Sequence, residues 1–348
     1  MPRPVFDATA AAMAEVESDP VRATYGPGAS ELEKVRAKAG RLLGAAAEDM
    51  ILTTSATAGM FLVAQGLKLT AGDRILTTDH EHPGGRFGWE WAERRYNVHI
   101  DTIPVPPDEH DPQAIVDRFA AAIQPRTRVL SFSHILYTTG VKLPVRELCA
   151  LAREHGCWSV VDGAQGPGAM PVDVHALGCD AYAVSGHKWL CGPKGTGFLY
   201  ISGEMSGALD ALPLAAGRST GSNSTGIVNI PGLRGLGAAI DFITEIGPER
   251  IEAHNLALRA ELHQQLSRLN QVFIPAPAEG PLASANLSFC LSDGADLHAI
   301  RRNLVLKHKI YIRVVDQAGF TGLRASPHLF NSSDDIQALV RALRQELT

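Results

Sequence analysis

A lysine lies between a histidine and a tryptophan in AVSGHKWLCGPKGTGFLY, which covers residues 183–200. This stretch begins with a short apolar run, typical of a buried strand, and continues into a glycine-rich turn. Most lysines keep their ammonium group in water, so Lys188 at the end of an apolar strand is unusual. A desolvated lysine near other cations has a lowered pKa and forms Schiff bases. Lys188 is therefore a candidate catalytic residue, and the alternative is an ordinary surface lysine.

An aspartate ends another apolar strand. Asp162 closes WSVVDG, and a buried carboxylate is costly unless a cation or a hydrogen-bond donor pairs with it. Gln165, three residues later, is able to donate a hydrogen bond into the same pocket. The alternative is that Asp162 lies in a loop and caps the next segment.

An anion site is predicted where Ser55, Ala56 and Thr57 follow a strand and open a helix. Free amide groups and the helix dipole favour an anion at a helix N-terminus, and hydroxyl groups there bind phosphate. Ordinary N-capping is the alternative. A Schiff-base lysine, a carboxylate for a pyridine nitrogen and a helix end for phosphate together describe a pyridoxal phosphate pocket.

The elements that must position these residues alternate along the chain. Strand and helix patterns follow one another from about residue 30 to about residue 205, which predicts a mostly parallel sheet covered on both faces. Ligands bind at the carboxyl ends of strands in such sheets. Several polar residues follow predicted strands: Thr57, His134, Asp162, Ser185, His187 and Lys188. After about residue 205, long helices and a few strands predict a smaller α+β unit.

Composition excludes several classes of protein. The 348 residues carry a net charge of -5 and contain no long basic run, so neither nucleic acid nor an anionic membrane is expected as a partner. No apolar stretch is long enough for a transmembrane helix, and the first residues lack a signal-peptide pattern. The 5 cysteines are scattered without a CxxC pair, which fits reduced thiols in the cytoplasm.

Residues 160–200, with their D-G-A-Q and S-G-H-K motifs, resemble the class V aminotransferase family of fold-type I pyridoxal phosphate enzymes. The family includes cysteine desulfurases, isopenicillin N epimerase-like proteins and carbon–sulfur lyases, and the resemblance runs from about residue 22 to the C-terminus. It implies an α/β fold with a large three-layer α/β/α domain over residues 15–245 and a small α+β domain over residues 246–348. A long helix over about residues 248–270 would link the two domains.

The resemblance also implies roles for residues around the cofactor. Lys188 would form the Schiff base and carry the proton, Asp162 would keep the pyridine nitrogen protonated, and Gln165 would contact the phenolic oxygen. His134 stands where many relatives have an asparagine near that oxygen. The phosphate contacts are implied for four residues: Ala56, Thr57, Ser185 and His187.

His82 matches the residue that stacks on the cofactor ring and acts with Lys188 and Asp162 in catalysis. A turn histidine is one alternative, and His80 is the competing ring. The H-x-H spacing also suits a metal, but no third ligand is evident, so no metal site is predicted.

The family is expected to form homodimers that share the active site. Ser222 aligns loosely with a residue that relatives send across the dimer interface to the phosphate, with Asn223 and Thr225 as alternatives. Arg324 matches the arginine that holds the substrate carboxylate, and Arg313 is a second candidate. The alternative for Arg324 is a surface arginine.

Two features depart from the family. Cysteine desulfurases carry a nucleophilic cysteine shortly before the substrate arginine, whereas residues 313–324 contain none, so persulfide formation is not expected. Cys191 and Cys290 are predicted to be structural. The segment that relatives place before MPRPVFDA is also missing, which implies a different substrate entrance or an incorrect start.

The predicted function is Cα deprotonation of an α-amino acid, followed by β-elimination at a carbon–sulfur bond. Transamination and epimerisation are the alternatives, because the fold does not choose among these outcomes. A non-catalytic relative that binds the cofactor is a further alternative. A Rossmann dehydrogenase is disfavoured, since no G-x-G-x-x-G follows the first strand.

Overall fold

A seven-stranded sheet forms the centre of the larger part of the chain. The computed structural model describes residues 1–25, 27–210, 229–292 and 294–347. The strand order is β1-β7-β6-β5-β4-β2-β3, and only β7 runs against its neighbours. The strands are β1 (Met50–Thr53), β2 (Arg74–Thr78), β3 (His99–Ile103), β4 (Thr127–Ser133), β5 (Trp158–Asp162), β6 (Ala181–Ser185) and β7 (Gly197–Ile201). This arrangement confirms the mostly parallel sheet predicted from the alternating pattern.

Helices cover both faces of this sheet. Within the described residues, the helices up to residue 246 are α1 (Arg3–Ser18), α2 (Pro20–Tyr25), α3 (Pro27–Leu42), α4 (Ala56–Gly66), α5 (Pro83–Tyr96), α6 (Pro112–Ala122), α7 (Val145–Glu154), α8 (Val174–Leu177), α9 (Gly203–Ala208) and α10 (Ile230–Ile246). One apolar cluster lies between the sheet and helices α4 and α5, and a larger cluster joins the other face to α3, α6, α7 and α10. The two clusters are the hydrophobic cores between the central sheet and the helix layers on its two faces.

A four-stranded antiparallel sheet follows in the order β10-β11-β9-β8. Its strands are β8 (Val272–Phe273), β9 (Leu287–Leu291), β10 (Arg313–Gln317) and β11 (Phe320–Ala325). The helices α11 (Pro248–Leu266), α12 (Leu297–His308) and α13 (Ser333–Glu346) pack against it around a third apolar cluster. The small α+β unit predicted after the large one is therefore present.

Some element boundaries differ from the predicted ones. The segment HKIYIRVV becomes a strand only from Arg313, because α12 extends to His308 and Lys309 then turns the chain with a left-handed φ of 58°. The predicted domain boundary at residue 15 falls inside α1. This helix packs closely on α10, since a Cβ on Gly235 would lie 2.1 Å from Thr9 Oγ1. Among the described residues, no helix is both long and apolar enough to cross a membrane.

Candidate functional site

The predicted site residues converge at the carboxyl edge, which we define as the ends of β4, β5 and β6 at Ser133, Asp162 and Ser185. All five residues of β6 are buried, which fits the apolar run before Lys188. The Ser185 hydroxyl accepts a hydrogen bond of 3.0 Å from the Ala56 amide. This bond fixes the N-terminus of α4 to the carboxyl edge.

The N-terminus of α4 presents amide groups at this edge. Ser55 caps the helix, and its hydroxyl accepts a hydrogen bond of 3.2 Å from the Ala58 amide. The amide of Thr57, between Ala56 and Ala58, has no acceptor within the helix because it belongs to the first turn. Thr57 is also exposed. Ser55 is thus the N-cap, as the alternative interpretation holds, while Thr57 retains a donor for an anion.

Helix α5 packs against two of the predicted site residues through glycines. A Cβ on Gly84 would lie 2.2 Å from Thr57 Oγ1, and a Cβ on Gly85 would lie 3.0 Å from Asp162 Oδ2. Real Cβ atoms essentially never show the first distance and rarely show the second, so α5 packs this closely against both side chains because Gly84 and Gly85 lack a Cβ.

We expect Gly84→Ala to displace Thr57 and to weaken cofactor retention about tenfold, a cost typical of overpacking. Equilibrium dialysis of the cofactor measures this effect. Adding Thr57→Ala removes the clashing hydroxyl and should restore part of the affinity. Gly203→Ala is the matched control, because a Cβ there meets nothing within 4 Å. Equal retention by Gly84→Ala and Gly203→Ala would contradict the packing argument.

A buried carboxylate and a desolvated amine face this edge. Asp162 is only 6 % exposed, and its Oδ1 accepts a hydrogen bond of 3.0 Å from the Ala164 amide. Burial lowers the pKa of Lys188, the Asp162 carboxylate opposes this shift, and the charges of Arg324 and Arg313 add to it. Among the described residues, Lys188 and Asp162 form no ion pair within 4.0 Å. Lys188 is half-buried, unlike a lysine whose side chain lies fully in water.

The amide of Gln165 is oriented by a tryptophan beside the lysine. Trp189 donates a hydrogen bond of 2.7 Å from Nε1 to Gln165 Oε1. An indole N–H only donates, so the oxygen of the amide is the atom that faces it. The NH₂ group of Gln165 is therefore the part that faces away from Trp189 and is able to donate.

The two histidines of the H-x-H pattern have different surroundings. His80 is fully buried, with Nε2 at 2.8 Å from the Val105 carbonyl and Nδ1 at 2.6 Å from Thr138 Oγ1. Both of its nitrogens are thus occupied within the protein. His82 caps α5 by accepting a hydrogen bond of 3.0 Å from the Gly84 amide at Nδ1, so its proton lies on Nε2 when the ring is neutral. Burial and the charge of Lys188 lower the pKa of His82.

The loop that carries His82 is anchored by buried polar contacts. The Glu81 carboxylate accepts hydrogen bonds of 2.7 Å from Thr78 Oγ1 and 3.1 Å from the Ser133 amide. Gln317 of β10 donates from Nε2 to the carbonyls of Asp79 and Glu81, at 2.8 and 3.0 Å. These contacts tie the small unit to the loop before α5.

Arg324 lies on β11 in a half-buried position. It donates one hydrogen bond from a terminal nitrogen to the Tyr137 carbonyl, while its Nε is buried and has no partner among the described residues. Burial, together with the charge of Arg313, lowers the pKa of Arg324 to about 10. A guanidinium with an unused donor at this site is suited to a carboxylate.

Tyr137 is a site residue that the sequence analysis missed. Its ring packs edge-on against His82 at 4.9 Å between ring centroids, and its hydroxyl donates to Gln317 Oε1. The guanidinium carbon of Arg313 lies 5.7 Å from the centroid of the same ring. Tyr137 lies in an irregular segment after β4. The one sequence feature that points to it is an aromatic residue in a loop that follows a strand.

The structure does not bring every predicted residue to this group. His134 is buried on the opposite face of the sheet, where its Nδ1 lies 2.8 Å from the Tyr182 hydroxyl. Side chains alternate along β4, so Ser133 faces the site and the next residue faces away. His187 is exposed, and partial desolvation of its ring and the charge of Lys188 lower its pKa. Ser222, Asn223 and Thr225 lie outside the described residues.

Comparisons with known proteins agree with this geometry. The model of the family described as Aminotransferase class-V matches residues 1–339. An isopenicillin N epimerase of Amycolatopsis lactamdurans is 34 % identical over 99 % of the chain and 92 % of that protein. A probable cysteine desulfurase of Methanothermobacter thermautotrophicus is 30 % identical over 90 % of the chain and 83 % of that protein.

A solved structure of the cystine C-S lyase C-DES with its product cysteine persulfide superposes with a TM-score of 0.87. That protein is 26 % identical, and the match covers 99 % of this chain and 94 % of the other. The expected fold, enzyme class and cofactor, pyridoxal 5′-phosphate, are confirmed by these matches. The chain belongs to the class-V aminotransferase family.

Proposed function

We propose that this chain removes the Cα proton of an α-amino acid and then eliminates a sulfur substituent from Cβ. One observation carries the proposal: the desolvated amine of Lys188 lies within the electrostatic reach of the buried Asp162 carboxylate and of Arg324, whose buried Nε has no partner among the described residues. Pyridoxal phosphate, when bound, supplies a ring that accepts the electrons left on Cα. The contacts of the chain's own residues support a place for each part of that cofactor.

The residues present fit the cofactor's polar groups. The Thr57 amide at the positive end of α4 and the Ser185 hydroxyl suit the phosphate, and the family resemblance adds Ala56 and His187 as further contacts. Oδ1 of Asp162 accepts a hydrogen bond from the Ala164 amide. The other oxygen, Oδ2, is able to accept a hydrogen bond from the protonated ring nitrogen. The free NH₂ of Gln165 suits the phenolic oxygen, and the His82 ring suits the face of the pyridine.

The proton is moved by Lys188. Its lowered pKa raises the fraction of free amine at neutral pH, and only the free amine attaches the cofactor or takes the Cα proton. Arg324 holds the α-carboxylate and thereby orients the Cα–H bond toward this amine. Asp162 stabilises the charge that develops when the proton leaves.

Elimination, rather than persulfide formation on the enzyme, is supported by the thiols. Burial raises the pKa of each of the 5 cysteines, which makes them poor nucleophiles. Only the two residues Ala318 and Gly319 connect β10 to β11, since Gln317 pairs with Phe320. Desulfurases resembling this chain carry their cysteine on a loop at this place.

Epimerisation is the second candidate, favoured by the 34 % identity to an isopenicillin N epimerase over nearly the whole chain. A panel of amino acids and cysteine thioethers in deuterated water separates the outcomes. Release of pyruvate, ammonia and a thiol supports elimination. Loss of enantiomeric purity with deuterium at Cα would show epimerisation, and a keto acid with the amine form of the cofactor would show transamination. Absence of deuterium exchange from every compound would refute Cα deprotonation.

We also propose that the active protein is a homodimer, as the family resemblance implies, with Ser222 reaching the phosphate of the partner subunit. Sedimentation at several protein concentrations tests the assembly. Mixing Ser222→Ala protein with Lys188→Ala protein tests the sharing: hybrid dimers should regain activity in one of their two sites.

Arg324→Gln is expected to weaken substrate binding about 10- to 100-fold, because a charged hydrogen bond is lost and the partner carboxylate stays unpaired. The apparent affinity should fall much more than the rate at saturating substrate. Arg302→Gln is the matched control, since Arg302 is exposed on α12. An unchanged affinity in Arg324→Gln would remove this residue from the carboxylate site.

A further inference from the structure

Two arginines lie directly opposite each other on neighbouring strands of the small sheet. Arg313 of β10 pairs with Arg324 of β11 in the antiparallel register. Residues at opposite positions share one face of the sheet, with their Cβ atoms about 5 Å apart. Both charges lower the pKa of Lys188 and of His82, so both act on the same site.

Tyr137 contacts the two guanidinium groups through different parts of the residue. Its carbonyl accepts a hydrogen bond from Arg324, whereas its ring lies under Arg313. The ring itself is fixed by the edge contact with His82 and by the hydrogen bond from its hydroxyl to Gln317. Arg313 is exposed, and its contact with the Tyr137 ring and its pairing with Arg324 place it next to the residues of the site.

Like charges at opposite positions of a sheet destabilise it unless an anion compensates for them. Within the described ranges, neither arginine forms an ion pair with a carboxylate within 4.0 Å. Under the proposed function, the α-carboxylate of the substrate compensates for Arg324 only. A second anionic group would compensate for Arg313.

We propose that Arg313 binds a second carboxylate at the far end of the substrate side chain. This inference rests on the proposed function, and it names the substrate class as amino acids with an acidic side chain, including cysteine thioethers whose sulfur substituent ends in a carboxylate. Arg324 holds the carboxylate on Cα, and Arg313 selects the acid at the other end. The planar guanidinium offers that acid two parallel donors.

The test compares each acid with its neutral amide of nearly the same shape. S-carboxymethylcysteine is paired with S-carbamoylmethylcysteine, and glutamate with glutamine. Calorimetry on the holoenzyme gives the Kd of each compound, and deuterium exchange at Cα gives its reactivity. The variants are Arg313→Gln, Arg313→Lys and Arg324→Gln, with Arg302→Gln as a matched control on the same unit.

The wild type should bind at least one acid about tenfold or more tightly than its amide, since a charged hydrogen bond contributes that much. Arg313→Gln should remove this preference, Arg313→Lys should keep part of it, and Arg324→Gln should weaken acid and amide alike. Thermal unfolding and the cofactor spectrum confirm that each variant is folded and loaded.

Two results would overturn the inference. One is a wild type that binds no acid more tightly than its amide. The other is an Arg313→Gln variant that weakens acid and amide by the same factor, because the two arginines would then share the α-carboxylate. Both results leave Cα exchange intact, whereas failure of the proposed function would abolish exchange with every compound.

Discussion

Lys188→Ala is expected to lose the visible absorbance of lysine-bound cofactor and to slow Cα exchange by at least about 10³-fold, because the variant lacks both the attaching amine and the base. Lys188 is the half-buried amine at the carboxyl edge, and Asp162 and Arg324 influence its pKa. The absorbance and the exchange rate are measured on protein incubated with excess cofactor.

Lys68→Ala is the control for Lys188→Ala, since Lys68 is exposed and, in the part of the chain that the structure describes, pairs only with Asp210 at 3.6 Å. It should keep the wild-type spectrum. Added methylamine provides a further test, because a free amine is able to take the place of the missing base. An unaltered spectrum in Lys188→Ala would show that another group attaches the cofactor.

Asp162→Asn has the second largest expected effect. The neutral asparagine side chain cannot stabilise the positive charge of a protonated pyridine nitrogen. Cα exchange should therefore slow about 10²- to 10⁴-fold. Substrate affinity should change little, because Arg324 remains. Exchange is measured per molecule of bound cofactor, which separates weaker retention from slower chemistry.

Asp180→Asn is the matched control for Asp162→Asn. Asp180 precedes β6 at the other end of the sheet, and it accepts hydrogen bonds of 2.8 and 2.7 Å from the Ser159 amide and hydroxyl. Its replacement should lower the free energy of unfolding and leave Cα exchange unchanged. If both variants exchange like the wild type, Asp162 does not face the ring nitrogen.

The carboxyl edge was predictable from the sequence because it follows from local patterns. Apolar runs such as AYAVS and WSVVD form buried strands, and the residues just after them reach one edge of a parallel sheet. In the structure β5 ends at Asp162, and Lys188 follows shortly after the end of β6. This prediction uses the ends of single strands and depends only weakly on the order of the strands in the sheet. The antiparallel direction of β7 therefore does not affect it.

The contacts that arrange the site were not predictable, because they join segments that are distant in the sequence. Tyr137 and Gln317 are 180 residues apart, and no periodicity links them. His134 illustrates a different limit. A shift of one residue along a strand end moves a side chain to the other face of the sheet, and boundaries from patterns are less accurate than that.

The short β10–β11 connection has a consequence for how this chain differs from cysteine desulfurases. Ala318 and Gly319 both have positive φ, at 56° and 72°, which is the backbone of the tightest hairpin turn. A cysteine substituted into this turn would have a left-handed backbone, which residues other than glycine rarely adopt. Under the proposed function, the absence of a nucleophilic thiol here would thus follow from the length and backbone of this connection, and not only from the identity of one residue.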